Sequence, residues 1–261
     1  MIKPLQGQRV LITREEHQAQ PLAELIESAG GTACIAPMLQ FEPIVLQDVN
    51  DTHTRLQRKT DWLFFTSSNT VTFFEDYRKQ LGISLHQKIA SVGEKTSVAL
   101  EKRGYKVDFQ PTEYSGMTMV REFIAKYGTK QRVTIICGEN AREEIPQLLS
   151  ENGVSFDKLV VYRTIENVDA KETLQQYLEN GIGACLFTSP STVKAFVKFA
   201  EAEMITKIKK NTVCVAIGKT TAEELVTQQF RYVIYPEKYT IEAMVDTLID
   251  YIKDGEKNDR V

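Results

Sequence analysis

The sequence lacks the features that mark several large classes of protein. No apolar run approaches the length of a membrane span, and residues 1–7 lack the apolar stretch of a signal peptide. The 32 basic and 35 acidic side chains give a net charge of −3, without the basic excess that is typical of nucleic-acid-binding proteins. These absences predict a cytoplasmic protein that binds neither membranes nor nucleic acid.

Cysteines and histidines are few, and none of them has the spacing of a metal site. They are spread widely along the chain: Cys34, Cys137, Cys185, Cys214, His17, His53 and His86. No C-x-x-C pair occurs, and each cysteine lies in or beside an apolar, strand-like run. The sequence therefore predicts reduced, buried thiols, solvent-exposed histidines and no bound metal ion.

Motifs for nucleotides and for serine nucleophiles are also absent. No G-x-G-x-x-G follows a predicted strand, and no G-x-S-x-G surrounds Ser67. Gly218-Lys219-Thr220 is similar to the end of a phosphate-binding P-loop, but Val213 stands where that motif requires its first glycine. Nucleotide cofactors bound by these motifs are therefore not expected.

Short apolar strands alternate with longer segments of helical period along most of the chain. Hydrophobic residues make up 42% of the 261 residues, which suits one large domain or two of ordinary size. The predicted strands are residues 9–13, 62–66, 88–92, 107–110, 133–137, 184–188, 213–217 and 232–235. A helix is expected after each strand, and this alternation is typical of parallel sheets with helices on both faces. We therefore predict an α/β fold with three α/β/α layers.

The chain contains an internal repeat. Residues 9–30 match residues 132–153 at an offset of 123, as at Gly30 and Gly153. Residues 65–71 match residues 187–193 at an offset of 122, and residues 93–119 match residues 218–244 at an offset of 125. Three matching blocks in one order predict a duplicated domain, and hence two similar lobes.

Two extended segments follow equivalent helix ends in the two repeats. They are residues 36–44, where Pro37 and Pro43 keep the chain extended, and residues 158–165. If both segments cross between the lobes, they could pair as a two-stranded ribbon. The first predicted strand would then share a sheet with the last three strands. The fifth strand would share a second sheet with the second, third and fourth strands. The residues permit this exchange, and halves that fold one after the other remain the alternative.

Hydroxyl residues and glycines recur where a predicted strand ends and a helix begins. Ligands bind at this carboxyl edge of parallel sheets, and helix N-termini present free N–H groups and partial positive charge there. Six such ends from two facing lobes would make a cleft suited to several carboxylates or phosphates. The residues concerned are Thr66, Ser67, Ser68, Val92, Gly93, Thr96, Tyr114, Ser115, Gly116, Thr188, Ser189, Pro190, Ser191, Gly218, Lys219, Thr220 and Thr221. The alternative is that each Ser or Thr only caps its helix.

Two further residues are candidates for the same cleft. Arg142 follows the predicted strand 133–137, and it is either a residue of the cleft rim or an ordinary exposed arginine. Tyr162 lies in the extended segment 158–165. Its ring either packs within the ribbon or brings a hydroxyl to the cleft floor, where it can donate a proton or a hydrogen bond.

Seven motifs, taken in order, resemble those of the uroporphyrinogen-III synthase family. They are Val10-Leu11-Ile12-Thr13-Arg14, Phe64-Phe65-Thr66-Ser67, Ser91-Val92-Gly93, Tyr114-Ser115-Gly116, Val161-Tyr162-Arg163-Thr164, Phe187-Thr188-Ser189-Pro190 and Ala216-Ile217-Gly218-Lys219-Thr220-Thr221. The resemblance implies two similar α/β/α lobes with exchanged strands, joined by a two-stranded β-ladder. It places residues 1–38 and 168–261 in the first lobe, residues 45–157 in the second, and residues 39–44 and 158–167 in the ladder.

The resemblance also implies an activity. Members of this family are lyases of haem biosynthesis that close hydroxymethylbilane into uroporphyrinogen III, with inversion of ring D and loss of water, and without a metal or organic cofactor. Hydroxymethylbilane synthase is the implied supplier of the substrate, and a monomer is the default oligomeric state. The alternatives are a non-catalytic bilobed module that binds a polyanionic small molecule, and a two-domain α/β glycosyl- or phosphoryl-transferase.

Finally, the resemblance implies roles for individual residues. Tyr162 aligns with a candidate general acid, and Thr221, or its neighbour Thr220, aligns with a threonine of the catalytic site. Thr13 and Arg14 join the strand-end residues and Arg142 as substrate-binding residues. Lys219 occupies a position that varies in the family and is given a supporting role.

Overall fold

The computed structural model describes residues 3–45, 54, 56 and 60–258. His53 lies outside the described residues, whereas every predicted site residue lies within them. Ten strands and ten helices are assigned in this part of the chain. In chain order they are β1 (Arg9–Ile12), α1 (Glu16–Ser28), β2 (Thr32–Ile35), β3 (Leu39–Pro43), β4 (Trp62–Phe65), α2 (Ser68–Leu81), β5 (Lys88–Ser91), α3 (Glu94–Glu101), α4 (Gly116–Tyr127), β6 (Arg132–Gly138), α5 (Glu144–Glu151), β7 (Ser155–Glu166), α6 (Ala170–Glu179), β8 (Ala184–Phe187), α7 (Pro190–Phe199), α8 (Ala202–Asn211), β9 (Val213–Ala216), α9 (Lys219–Thr227), β10 (Tyr232–Ile234) and α10 (Ile241–Asn258).

The first compact unit comprises Met1–Gln40 and Ile165–Val261. Its sheet has the order β10-β9-β8-β1-β2, and every pair in it is parallel. Val10 and Ile12 pack into a core on one face of this sheet, and Leu11 packs into a second core on the other face. Because both faces are covered, β1 is apolar at successive positions, and the same holds for β8 and β9.

The second compact unit is the continuous segment Phe41–Thr164. Its sheet has the order β3-β7-β6-β4-β5, in which β7, β6, β4 and β5 are parallel neighbours. Trp62 and Phe64 pack on one face of this sheet, and Leu63 and Phe65 pack on the other. Each unit therefore has helices on both faces of a mainly parallel sheet, and the predicted fold class is confirmed.

The two predicted extended segments pair with each other as β3 and β7. The N–H of Ile44 donates to the carbonyl of Val161 at 3.2 Å, and the N–H of Asn167 donates to the carbonyl of Met38 at 3.0 Å. The partner residue numbers fall on one strand as they rise on the other, so this pair is antiparallel. The chain leaves the first unit through β3 and returns to it through β7, and β1 consequently shares a sheet with the last three strands.

The strand predicted at residues 107–110 is wrong. Only Phe109 bridges to a neighbouring strand, opposite Ala90 in β5. The Asp108 carboxylate accepts the Ile89 N–H at 3.0 Å and so takes a donor that strand pairing would use. Pro111 follows and has no N–H to extend the pairing. The opposite error occurs at Thr32–Ile35, which forms β2 although no strand was predicted there.

The four cysteines are buried, as predicted, and form no disulfide in this structure. Burial raises the pKa of the Cys34 and Cys137 thiols above the ordinary value.

Among the residues that the structure describes, no helix is long and apolar enough to cross a membrane. The same part of the chain contains no group of three or more His, Cys, Asp or Glu residues that could hold a metal ion.

Candidate active site

Serine hydroxyls begin three of the helices that follow the strand ends. Ser67 accepts the Thr70 N–H at 3.3 Å, Ser115 accepts the Thr118 N–H at 3.1 Å, and Ser189 accepts the Thr192 N–H at 3.2 Å. Each of these three hydroxyls is therefore an N-cap, which is the helix-capping role that the sequence predicted as the alternative to ligand binding. A cap satisfies one of the four N–H groups in the first turn, so capping is compatible with anion binding by the others.

Glycine begins the helix after the next strand in each unit. Gly93 and Gly218 are the N-cap residues of α3 and α9, in extended conformation and with no side chain to cap the helix. A tyrosine ring lies against each turn: a β-carbon at Gly93 would lie 3.4 Å from the Tyr114 ring, and one at Gly218 would lie 2.9 Å from the Tyr239 ring. The two halves of the repeat thus place an exposed tyrosine over a glycine turn in the same way.

A cavity of about 540 Å³ opens at the carboxyl edge of the second unit's sheet. It is lined by Thr66, Ser67, Val92, Tyr114, Ser115, Gly116, Gly138, Asn140, Ala141, Arg142, Glu144, Ile145, Tyr162 and Thr164. Helices α2, α4 and α5 begin within or beside this lining. Their N-termini give the cavity partial positive charge, which favours carboxylates or phosphates.

The cavity brings together eight residues that the sequence predicted for a ligand site. They are Thr66, Ser67, Val92, Tyr114, Ser115, Gly116, Arg142 and Tyr162. Ser68, Gly93 and Thr96 belong to the same unit but do not line the cavity, and Thr96 is buried. Six lining residues were not predicted, and three of these, Gly138, Asn140 and Ala141, belong to the segment Gly138-Glu139-Asn140-Ala141-Arg142. The position of this segment directly after the predicted strand 133–137 was the available signal.

Tyr162 reaches the cavity because of an irregularity in strand pairing. Cys137 pairs with Val160, but the next residue, Gly138, pairs with Tyr162, so β7 has one extra residue at this point. A β-carbon at Gly138 would lie 2.6 Å from Cζ of Tyr162. Only glycine at this position therefore leaves room for the phenol ring where it stands.

Two phenylalanine rings hold the Tyr162 ring from other directions. Phe73 of α2 stacks on it, with centroids 5.1 Å apart and planes inclined by 25°, and Phe41 of β3 contacts it edge-on at 5.2 Å. No hydrogen bond to the Tyr162 hydroxyl occurs within residues 3–45, 54, 56 and 60–258. The hydroxyl is thus held in the cavity and is available to a ligand.

The hydroxyl of Thr66 and the guanidinium of Arg142 add polar groups to the cavity. Thr66 Oγ1 donates to the Ile136 carbonyl at 3.1 Å, which leaves its oxygen able to accept a hydrogen bond. Arg142 is exposed, and the described part of the chain offers it no carboxylate partner. An arginine without an internal partner is suited to a planar carboxylate, which it can bind through two parallel hydrogen bonds.

The remaining predicted residues lie at the carboxyl edge of the first unit's sheet. Thr188, Ser189, Pro190 and Ser191 follow β8, and Gly218, Lys219, Thr220 and Thr221 follow β9. Thr13 follows β1 and is buried, with its hydroxyl donating to the Leu186 carbonyl at 2.9 Å. Thr221 is only 3% exposed.

Arg14 is held within the first unit. Its Nε donates to Gln18 Oε1 at 2.9 Å. Burial lowers the pKa of the Arg14 guanidinium from its ordinary value, while the charge of Glu15 acts in the opposite direction. Thr13 and Arg14 therefore form hydrogen bonds within their own unit, and Thr221 is buried in it.

Comparisons with known proteins point in one direction. A family model described as uroporphyrinogen-III synthase HemD matches residues 20–246. The porphyrin biosynthesis protein HemD of Ruminiclostridium josui is 28% identical over 255 residues, which are 96% of this chain but 50% of that protein. The uroporphyrinogen-III synthase of Chlorobaculum parvum is 27% identical over 251 residues, 94% of this chain and 99% of that protein.

A solved structure shows the same fold. The crystal structure of uroporphyrinogen-III synthetase from Helicobacter pylori aligns with 94% of this chain and 99% of its own, with a TM-score of 0.65 and 19% sequence identity.

Proposed function

The chain belongs to the uroporphyrinogen-III synthase HemD family, and we propose that it cyclises hydroxymethylbilane to uroporphyrinogen III, inverting ring D and releasing water. This is a lyase reaction of haem biosynthesis. The observation that carries the proposal is the cavity at the carboxyl edge of the second unit, where eight predicted residues meet. Its helix N-termini and Arg142 suit a substrate that bears eight side-chain carboxylates.

We propose that the binding site works mainly by holding the substrate. Unassisted closure gives the isomer in which ring D is not inverted, so the enzyme must favour attack through the substituted carbon of ring D. Fixing the two reacting rings in one geometry is a positioning task. Backbone N–H groups at the start of α2, together with Thr66 and Arg142, are the groups proposed to bind carboxylates in the second unit.

We propose the corresponding role for the strand ends of the first unit. Backbone N–H groups after β8 and β9, in the turns at Ser189 and Gly218, bind further carboxylates of the substrate. Lys219 is exposed and adds positive charge near the second of these turns. Since Thr221 is buried, we propose that it supports the Gly218 turn, and that Thr13 and Arg14 support the strand end at β1.

We propose Tyr162 as the proton donor in the first step. The carbon–oxygen bond of the ring A hydroxymethyl group breaks, and the departing hydroxyl takes the phenol proton and leaves as water. Ring D attacks the resulting azafulvene through its substituted carbon and forms a spiro intermediate. The bond from that carbon to the methylene bridge of ring C then breaks, which leaves an azafulvene on ring C. The free α-carbon of ring D attacks this second azafulvene and closes the macrocycle with ring D inverted. The proton that ring D loses at the end restores the phenol. We also propose that the protein is a monomer of the cytoplasm. Hydroxymethylbilane synthase supplies its substrate.

The direct test of the function is the isomer composition of the product. We expect the protein, supplied with hydroxymethylbilane by purified hydroxymethylbilane synthase, to shift the product from isomer I to isomer III. The porphyrins are oxidised and separated by chromatography, and a reaction without the protein gives the isomer I baseline. We expect the shift to persist in EDTA without added nucleotide. A product that stays isomer I would refute the proposed function.

The role of Tyr162 is tested separately. We expect Tyr162→Phe to lower kcat about threefold to tenfold, which corresponds to the loss of one net hydrogen bond. The loss is small because N–H groups at helix N-termini also hold the substrate, and because a water molecule can replace one hydroxyl. Obligatory general acid catalysis would instead cost about 10²–10⁴-fold. The measurement is kcat for isomer III formation, with folding checked by circular dichroism. Tyr177→Phe, a change in the core of the first unit, is the control, and wild-type turnover in Tyr162→Phe would remove Tyr162 from the mechanism.

A further inference from the structure

The proposed polyanion site contains a carboxylate of its own. Among the described residues that line the cavity, only Glu144 is acidic. It is the first residue of α5, and its side chain is exposed to the cavity rather than buried in the core. A negative charge in a site for a substrate with many carboxylates opposes binding of any carboxylate placed beside it. Glu144 therefore selects what can occupy this corner of the cavity.

The Glu144 carboxylate lies at the start of α4. A β-carbon at Gly116, the first residue of α4, would lie 2.5 Å from Oε2 of Glu144 and 2.9 Å from its Cδ. Gly116 therefore leaves the space that the carboxylate fills. A helix N-terminus is where a substrate carboxylate would otherwise be expected, and here a side chain of the protein lies in that position.

Within the part of the chain that the structure describes, no partner neutralises Glu144. Its neighbour Glu143 forms an ion pair with Lys158 at 2.6 Å, whereas no hydrogen bond or ion pair to Glu144 occurs in the described part of the chain. Arg142 lines the same cavity but does not pair with it. Among the described residues, the Glu144 oxygens thus have no hydrogen-bond donor, in a cavity that Tyr162 also lines.

We propose that Glu144 accepts a hydrogen bond from a pyrrole N–H of the substrate, an inference that rests on the proposed function. A linear tetrapyrrole carries pyrrole N–H donors as well as carboxylates. A protein carboxylate that lacks a donor is complementary to these N–H groups. Glu144 then turns a ring edge, rather than an acidic side chain of the substrate, toward the start of α4.

When the bound N–H is that of ring A, this contact also acts on the first step of the reaction. As the ring A hydroxyl departs with the proton from Tyr162, the pyrrole nitrogen supplies the electron pair and positive charge develops on the ring. A fixed negative charge at the N–H stabilises this charge more in the transition state than in the bound substrate, and such differential stabilisation raises kcat. The expected signature of Glu144 is therefore an effect on kcat rather than on KM.

The test is a comparison of three variants in the isomer assay. Glu144→Gln keeps the shape and the acceptor oxygen but removes the charge, and we expect it to lower kcat about tenfold to a hundredfold, the worth of a charge-assisted hydrogen bond. KM should stay equal or fall, because repulsion of the substrate carboxylates is removed. Glu144→Asp keeps the charge and should retain most of kcat. Glu143→Gln, which removes a neighbouring charge outside the cavity lining, should leave both constants unchanged.

The outcomes separate the inference from the function on which it rests. An inactive wild-type protein would refute the proposed function itself. With an active wild type, a lower KM and unchanged kcat in Glu144→Gln would show that Glu144 only repels substrate, and would overturn the N–H contact. Unchanged constants in Glu144→Gln, or equal losses in Glu144→Gln and Glu143→Gln, would overturn it as well. Circular dichroism and thermal unfolding of each variant identify any loss that comes from misfolding.

Discussion

Gly138→Ala is expected to lower kcat/KM for uroporphyrinogen III formation about a hundredfold, the loss that a displacement of about 1 Å at a reacting centre can cause. The new β-carbon would lie 2.6 Å from Cζ of Tyr162. The ring cannot withdraw freely, because Phe73 stacks on it and Phe41 contacts its edge. It must therefore move within the cavity, where it displaces bound substrate and carries its hydroxyl away from the leaving group.

The double variant Gly138→Ala/Tyr162→Ala tests this explanation. Without the Tyr162 ring the new methyl group has nothing to displace, so the double variant should have the activity of Tyr162→Ala alone. An equal loss from Gly138→Ala in both backgrounds would show that the glycine acts through something other than the tyrosine. Gly255→Ala is the matched control, because a β-carbon at that position meets nothing within 4 Å. Its activity should equal that of the wild type.

Phe123→Ala should destabilise the second unit by about 3–5 kcal/mol, the usual cost of truncating a fully buried aromatic side chain. Phe123 is 0% exposed. Its ring contacts four other rings, those of Trp62, Phe64, Phe109 and Tyr127, at centroid distances of 4.8–5.8 Å. The surrounding rings are held by the sheet and by one another, so they cannot close the space that the phenyl group leaves.

The measurement is urea unfolding followed by tryptophan fluorescence. Trp62 is the only tryptophan in the chain, and it lies in the core of the second unit, so its emission reports the unfolding of that unit. Tyr114→Ala is the control: this side chain is 59% exposed, and its loss should change the unfolding free energy by no more than about 0.5 kcal/mol. Similar midpoints for Phe123→Ala and the wild type would contradict the prediction.

The fold was largely predictable because its central strands are buried on both faces. β4, β8 and β9 are four-residue apolar runs with every side chain buried, and such runs stand out from the amphipathic helices between them. The helix starts were also predictable, because Ser67, Ser115 and Ser189 cap their helices through local contacts. The failures lie at the sheet edges: β2 has a mixed burial pattern, and the segment 107–110 looks like a strand but has too few partners.

The lining of the candidate site was predictable only where it depends on local sequence. Thr66, Ser67, Ser115 and Gly116 were expected from the strand-to-helix pattern alone. The approach of Tyr162 to Gly138 depends on the pairing of β6 with β7 and on its one-residue irregularity, which no local pattern reveals. The position of Glu144 against Gly116 likewise depends on how α4 and α5 pack. The roles of the predicted site residues stay predictions in both units.

The pairing of β1 with β8 has a consequence for the order in which the chain acquires structure during synthesis. The Thr13 hydroxyl bonds to the carbonyl of Leu186, 173 residues further along the chain. β1, an inner strand of the first sheet, is therefore synthesised early but gains its partner β8 late. The second unit, Phe41–Thr164, is continuous and is translated in full before β8. We expect the amide protons of the second unit to become protected from exchange first on a nascent chain. Until β8 is made, the apolar side chains of β1 and α1 stay exposed, and a chaperone can bind them.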